Sequence, residues 1–312
     1  MWQLPPKSGR TVEACSNGEK YGPSQLSLVS SKQGSIADFP FLKIMSFTAV
    51  TFHGYSFFPV LWESSSIEYL SLTACSFEIH GYSYVESSSL KCLEVKYCHG
   101  LKFIIVHEAM NLESLTFVSP PPPYSKCTRV TVNNTPNLRK IDICVDELGE
   151  LYLWQCHRAL KATINTQNLN QFRFYGSLEA QVSVKACWKS VISVSELWDE
   201  EWFCSNLTNL STLMDFLKGF GCCKKVWLCT RDFKALIFPE TFRKTTGTLA
   251  TPLPKSCILN VAMLNPPTAR SRDYWDLKDS MNWIARSARI VRDNPRWLVT
   301  YLEEGGKQAN SA

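Results

Sequence analysis

The sequence predicts an α/β repeat protein, a strand-rich solenoid with irregular rungs and helical elements toward its C-terminal end. Three observations carry that expectation. The first is a direct repeat: Ser64-Ser65-Ser66-Ile67-Glu68-Tyr69-Leu70-Ser71-Leu72-Thr73-Ala74-Cys75 returns as Ser87-Ser88-Ser89-Leu90-Lys91-Cys92-Leu93-Glu94-Val95-Lys96-Tyr97-Cys98, shifted by 23 residues. Apolar residues keep the same places, L-x-x-L-x-L-x-x-C. The L-x-L alternation buries two side chains and exposes the one between them. The second is another alternating series between these segments. The third is a change to helical spacing after about residue 190. A period in the twenties with this pattern is the signature of a leucine-rich-repeat solenoid, one short strand per turn.

Taken in order, residues 1–38 are polar, rich in Ser, Gly and Lys, and without periodicity, which predicts a disordered or loosely attached lead-in. Repeats are expected over 39–190. The first rung puts Leu42, Met45, Phe47 and Val50 on the buried places. The quoted pair follows, then Leu112, Leu115 and Phe117 before Pro120-Pro121-Pro122-Pro123, a stiff insert that cannot join a sheet interior. The strand resumes at Val130 and Val132, then at Leu151 and Leu153, then at Phe172 and Phe174. The step from Leu115 to Val130 is only 15 residues and coincides with the prolines.

The second series runs through Leu101–Ile105, Leu138–Ile143, Leu160–Ile164 and Val182–Val184. Each rung is therefore expected to carry a strand on its far side. Asn111-Leu112, Asn137-Leu138 and Asn168-Leu169 mark corners, where Asn tolerates tight geometry. Residues 191–304 read as the closing part of the same solenoid. They contain a helix with Leu207, Leu210, Leu213, Met214 and Leu217 on one face, capped by Ser205 or Asn206 and ended by Gly219. Strands are expected at Lys225–Cys229 and Cys257–Leu264, and a last helix, capped by Asp273, has Leu277, Met281, Ile284, Ala285 and Ala288 as its stripe. Residues 305–312 read as a disordered tail.

Composition narrows the function classes. The chain has 312 residues, 45% hydrophobic and 20% charged, with a formal charge of +5, too mild over this length to predict nucleic-acid binding. No apolar run approaches the roughly 20 residues of a membrane helix, and no secretory signal is visible behind Met1. Thirteen cysteines, several at the buried repeat position, favour reduced thiols in the nucleus or cytoplasm. The three sequons beginning at Asn133, Asn206 and Asn209 then read as chance matches.

The late segment Tyr274-Trp275-Asp276-Leu277-Lys278-Asp279-Ser280-Met281-Asn282-Trp283-Ile284-Ala285 and the repeats Ile67–Cys75, Leu90–Cys98 and Leu148–Cys156 together resemble the plant F-box/leucine-rich-repeat proteins. Pro136–Ile143 and Asn168–Gly176 carry the same likeness. The resemblance implies an adaptor. An F-box binds the Skp-type subunit of a cullin ubiquitin ligase, and the repeats capture the protein to be ubiquitinated. Residues 1–40 show no F-box pattern, which leaves two expectations: the substrate-recognition part of such a ligase or an F-box-less relative, or a scaffold or competitor unrelated to ubiquitin. Partners are expected to be a protein substrate and the Skp-type subunit, with no cofactor, nucleic acid or membrane.

Candidate binding residues are the ones beside the buried pairs. They form an expected concave column: Ser71 and Thr73, Glu94 and Lys96, Thr116 and Val118, Thr131 and Asn133, Tyr152 and Trp154, Arg173 and Tyr175. Tyr152, Trp154, Arg173 and Tyr175 are its strongest members, because such residues bury much area with few rotors; Glu94 and Lys96 are its charged members. Cys75, Cys98 and Cys156, with His99 and His157, lack metal-ligand spacing and read as buried corners and turns. The run Arg286, Arg289, Arg292, Arg296 sits among acids and reads as a solvated face, and Asp199-Glu200-Glu201 as a surface loop. No nucleophile elbow, H-E-x-x-H or phosphate loop is present (Gly219 and Gly221 only begin a G-x-G), so an enzyme is not expected.

Overall fold

The computed structural model describes residues 10–15, 42–52, 66–120, 127–185, 187–194, 207–238, 240–245, 253–285 and 287–291. The chain forms two compact units, Met1–Asn168 and Leu169–Ala312.

In the first unit the L-x-L segments become short parallel strands stacked rung on rung. One sheet runs β1 (Arg10–Cys15), β2 (Leu42–Thr48), β4 (Tyr69–Thr73), β6 (Cys92–Lys96), β8 (Ser114–Val118), β10 (Lys140–Cys144) and β12 (Lys161–Asn165). The other runs β11 (Glu150–Cys156), β9 (Arg129–Thr135), β7 (His99–His107), β5 (Ser76–Val85) and β3 (Thr51–Phe52). We call them the first and second sheets. The expected far-side strands exist, and the chain alternates between the sheets: β2–β3, β4–β5, β6–β7, β8–β9 and β10–β11 make five turns of a parallel solenoid. The lead-in needs correction, since Arg10–Cys15 pairs parallel with β2.

The expected core places are filled. Leu42, Met45, Phe47, Val50, Ile67, Leu70, Leu72 and Cys75 are all buried, as are Leu90, Leu93, Val95 and Cys98. Burial of such side chains contributes about 1.5–3 kcal/mol each, and each rung hides its apolar pair only because its neighbours stack on it.

The corners explain the rest of the motif. Ala49, Ala74 and Tyr97, one per turn, sit at φ near +55°, as do Glu108, Asn134 and Gln155 at the opposite corner. That conformation turns the backbone N–H along the stack: Ala49 donates to Thr73 O, Ala74 to Lys96 O and Tyr97 to Val118 O, at 2.7–2.9 Å. The small residue that follows faces inward. The Cys75 thiol donates to Phe47 O and the Cys98 thiol to Leu72 O, both at 3.5 Å. The Asn corners also bond along the stack: the Asn111 amide donates to Ser88 O and that of Asn137 to Met110 O. His157 begins a turn, as expected, whereas His99 starts β7.

One reading of the repeat is overturned. The second-sheet strands carry the same pattern: Leu101-Ile104-Val106-Ala109, Cys127-Val130-Val132-Thr135 and Leu148-Leu151-Leu153 are buried at the same spacing, with Cys156 half-buried at the fourth place of the last. The 15-residue step was therefore a change of sheet. Leu115 pairs with Ile141, and Val130 pairs with Ile104, each a step of 26 that contains the proline insert. Pro120 is buried; the other three prolines lie outside the described residues.

In the second unit parallel strands follow the order β18 (Arg289–Val291), β17 (Ile258–Asn265), β16 (Cys223–Asp232), β15 (Cys187–Val194), β13 (Gln171–Gly176), and β14 (Gln181–Val184) is not among them. Helix α1 (Leu207–Lys218) buries Leu213, Met214, Phe216 and Leu217. Phe216 and, just beyond the helix, Phe220 pack on Phe174 and Phe172 at 5.4 and 5.8 Å. It ends at Gly219, where a Cβ would strike Val182 O. A short α2 (Glu240–Thr245) precedes β17, and α3 (Arg272–Ile284) follows it. Ser271, not Asp273, caps α3, its hydroxyl accepting from Tyr274 N–H at 3.2 Å; Asp273 sits in the first turn, where the helix dipole favours a negative charge. Ala288 of the expected stripe lies past the end of α3. The acidic run 199–201, Arg286, Arg292, Arg296, both expected α1 caps and the tail lie outside the described residues.

Candidate interaction face

The expected column of binding residues does not form one surface. Glu94 and Lys96 stand on β6 in the first sheet, while Tyr152 and Trp154 stand on β11 in the second. The sequence led to this error because both sheets repeat one apolar pattern, so the column crossed from one to the other at the prolines. Arg173 and Tyr175 belong to the second unit, and Tyr175 is buried at 4% exposure. With the Gln171 amide turned oxygen-first, Arg173 donates to it through Nε and a terminal nitrogen at 2.5 and 2.9 Å.

The first sheet presents a small, polar and self-paired face. Glu94 and Lys96 are joined at 2.7 Å, beside Ser71, Thr73, Thr116 and Val118. Lys140 and Asp142 pair at 2.9 Å. At its edge Glu68 is held by Lys43 and Lys91, each at 2.8 Å, and these lysines lower its carboxyl to about 2. Burial, then a hydrogen bond with Glu94, pushes the Tyr69 hydroxyl above its ordinary range.

The second sheet presents a different surface, in three rows set by the register. Phe103, Arg129 and Glu150 form one; Tyr84, Ile105, Thr131 and Tyr152 the next; His107, Asn133 and Trp154 the third. Arg129 lies 5.7 Å from the ring centres of both Phe103 and Tyr152, which cradle its guanidinium by cation–π attraction. Its Nε donates to Glu150 at 2.6 Å, and the Tyr152 hydroxyl donates to the same carboxylate oxygen at 2.7 Å. In the third row the Asn133 amide meets His107 Nδ1 at 3.2 Å, while Asn133 Oδ1 has no hydrogen-bond partner among the described residues. A buried acceptor left unmatched costs stability unless a visiting donor reaches it.

Phe103, Ile105, His107, Arg129 and Glu150 were missed in the sequence. Their signal was there, in the positions that alternate with Ile104, Val106, Val130 and Leu151, but it required knowing that β7, β9 and β11 are neighbours. The arrangement supplies rigid aromatic area and an oriented Arg–Glu pair, the ingredients of a protein-binding surface. Among the described residues no group of three His, Cys, Asp or Glu gathers as a metal site, and no helix is long and apolar enough to cross a membrane.

Rung, corner and face together define a strand-rich leucine-rich-repeat solenoid, a fold that typically serves as an interaction scaffold. Residues 21–172 match the family model described as "FBD-associated F-box protein At5g56370, LRR repeats", so this stretch is similar to the repeats of that family. No curated protein and no solved structure gives a significant match.

Proposed function

We propose that this protein captures a partner protein on the outer face of the second sheet, and that the capture serves substrate selection by a Skp–cullin–F-box type ubiquitin ligase. The observation that supports the binding face is the Phe103–Arg129–Tyr152 stack clamped by Glu150. Arg and Tyr held in place before binding lose little side-chain entropy on contact. The ligase role is supported by the family of the repeats. The setting is the nucleus or cytoplasm; the Cys75 and Cys98 thiols act as hydrogen-bond donors at the corners, a role only the reduced form fills.

The test is proximity labelling in cells, comparing the wild-type chain with Arg129→Ala and Tyr152→Ala. Both variants are expected to lose the same set of labelled neighbours, with a cost of about 2 kcal/mol or more for a residue at the centre of such a face, while circular dichroism stays unchanged. Retention of every neighbour by both variants would remove the face from consideration. A Skp-type subunit among the neighbours supports the ligase role; partners without it favour a scaffold unrelated to ubiquitination.

A further inference from the structure

A second surface lies in the second unit, where β15, β16 and β17 begin. There Lys189 of β15 pairs in register with Lys225 of β16, and Lys225 with Ile258 of β17. Lys185 lies just before β15, Lys224 just before Lys225, and Lys255 just before β17, so the parallel order brings their positions to one end of the sheet. Trp188 is 59% exposed, the most exposed of the large hydrophobic residues among those described, and the Lys224 ammonium stands 4.4 Å from its ring centre. Lys185, Lys224 and Lys255 are exposed as well. None of Lys185, Lys224, Lys225 and Lys255 has an ion-pair partner among the described residues. Burial, followed by the neighbouring charges of Arg173 and Lys225, holds Lys189 below the usual lysine range. Like charges thus crowd here, in contrast to the first unit's polar face, where Lys43, Lys91, Lys96 and Lys140 each have a carboxylate.

We propose that this end of the β15–β16–β17 sheet docks a carboxylate-rich segment of a partner protein, with Trp188 as its apolar anchor. Charge complementarity selects the occupant: concentrated lysines are relieved of mutual repulsion by an acidic chain. Three adjacent strands span about 10 Å, which an extended peptide covers in about three residues. A nucleic acid fits less well. The Trp188 ring already has a lysine on its face where a base would stack, and the cluster is built from lysines, which lack the planar fork that pairs with phosphate.

The test uses the full chain and three fluorescein-labelled probes: deca-glutamate, deca-lysine and a 20-nucleotide oligo(dT), followed by fluorescence anisotropy at low and physiological salt. Deca-glutamate is expected to bind and to weaken with added salt; deca-lysine is not. Lys224→Glu with Lys225→Glu should weaken it by about tenfold or more, and Trp188→Ala by several-fold. Lys224→Gln with Lys255→Gln, which reverses no charge, should give an intermediate loss. Tyr152→Ala should bind deca-glutamate as the wild type does, which separates this surface from the face in the first unit. Absence of deca-glutamate binding at low salt, unchanged binding by the folded double Glu variant, or tighter binding of oligo(dT) would each overturn the proposal.

Discussion

Ala74 shows what a single residue contributes here. Its φ of +52° costs an L-residue about 1–2 kcal/mol, yet it aims the N–H at Lys96 O of the next rung. The strain is retained because the neighbouring rungs are stacked around it. Ala74→Gly relieves it and gives back part of the gain through a more flexible unfolded chain, so the urea midpoint should rise by up to about 1 kcal/mol of stability. Glu68 makes a second prediction. Its folded carboxyl, at about 2, lies below its ordinary 4.5, so its contribution is fully present above pH 4.5 and is lost as the pH falls toward 2. The stability difference between wild type and Glu68→Gln should therefore shrink across that window. It should also shrink with salt at neutral pH, because both lysine contacts are exposed. A constant difference from pH 6 to 2 would remove Glu68 as a titrating contributor. Neither residue's role was visible in the sequence, which does not say which carbonyl or which lysines the neighbouring rungs bring within reach.

At the scale of elements, the rung and the docked helix obey different rules. A rung is held by its two apolar pairs and its corners, and the spacing of both was readable because the side-chain alternation of a strand is written directly in the sequence. Helix α3 depends on a contact that no spacing reveals. Ser280 is buried on its inner face, donates to Asp276 O at 2.7 Å and accepts from the Phe238 N–H at 2.8 Å, a residue 42 positions earlier. Ser280→Ala removes the hydroxyl that accepts from that N–H and should cost about 1–3 kcal/mol by thermal or urea unfolding; a loss below about 0.5 kcal/mol would mean that this hydrogen bond contributes little. The helix stripe Leu277, Met281 and Ile284 was legible by its period, whereas nothing in that period marks Ser280 as buried. The N-cap moved from Asp273 to Ser271 for the same kind of reason, since which of two good capping residues turns inward depends on how the preceding loop arrives.

At the scale of the whole molecule, the thiols report the fold. Cys75, Cys98, Cys127, Cys223, Cys229 and Cys257 are buried, while Cys144 and Cys222 are exposed. Burial pushes the Cys127 thiol up to about 12, and a hydrogen bond with Cys75 followed by burial raises that of Cys98. Brief maleimide labelling of the native protein, read by peptide mass spectrometry, should modify Cys144 and Cys222 first among these eight, and the buried six only after unfolding. Early labelling of Cys75 or Cys98 would mean that the corners open on the labelling timescale. The sequence by itself determined the repeat, its strand-rich character and the buried place of nearly every apolar residue in the rungs, because those follow from local periodicity. The tertiary structure decided which strands are neighbours. Two sheets sharing one apolar pattern cannot be told apart along the chain, so Glu94 and Tyr152 looked like members of one column and Arg129 went unnoticed. Only the register sets Arg129 between Phe103 and Tyr152, or Lys189 beside Lys225, because surface chemistry depends on residues brought together from turns more than 20 positions apart.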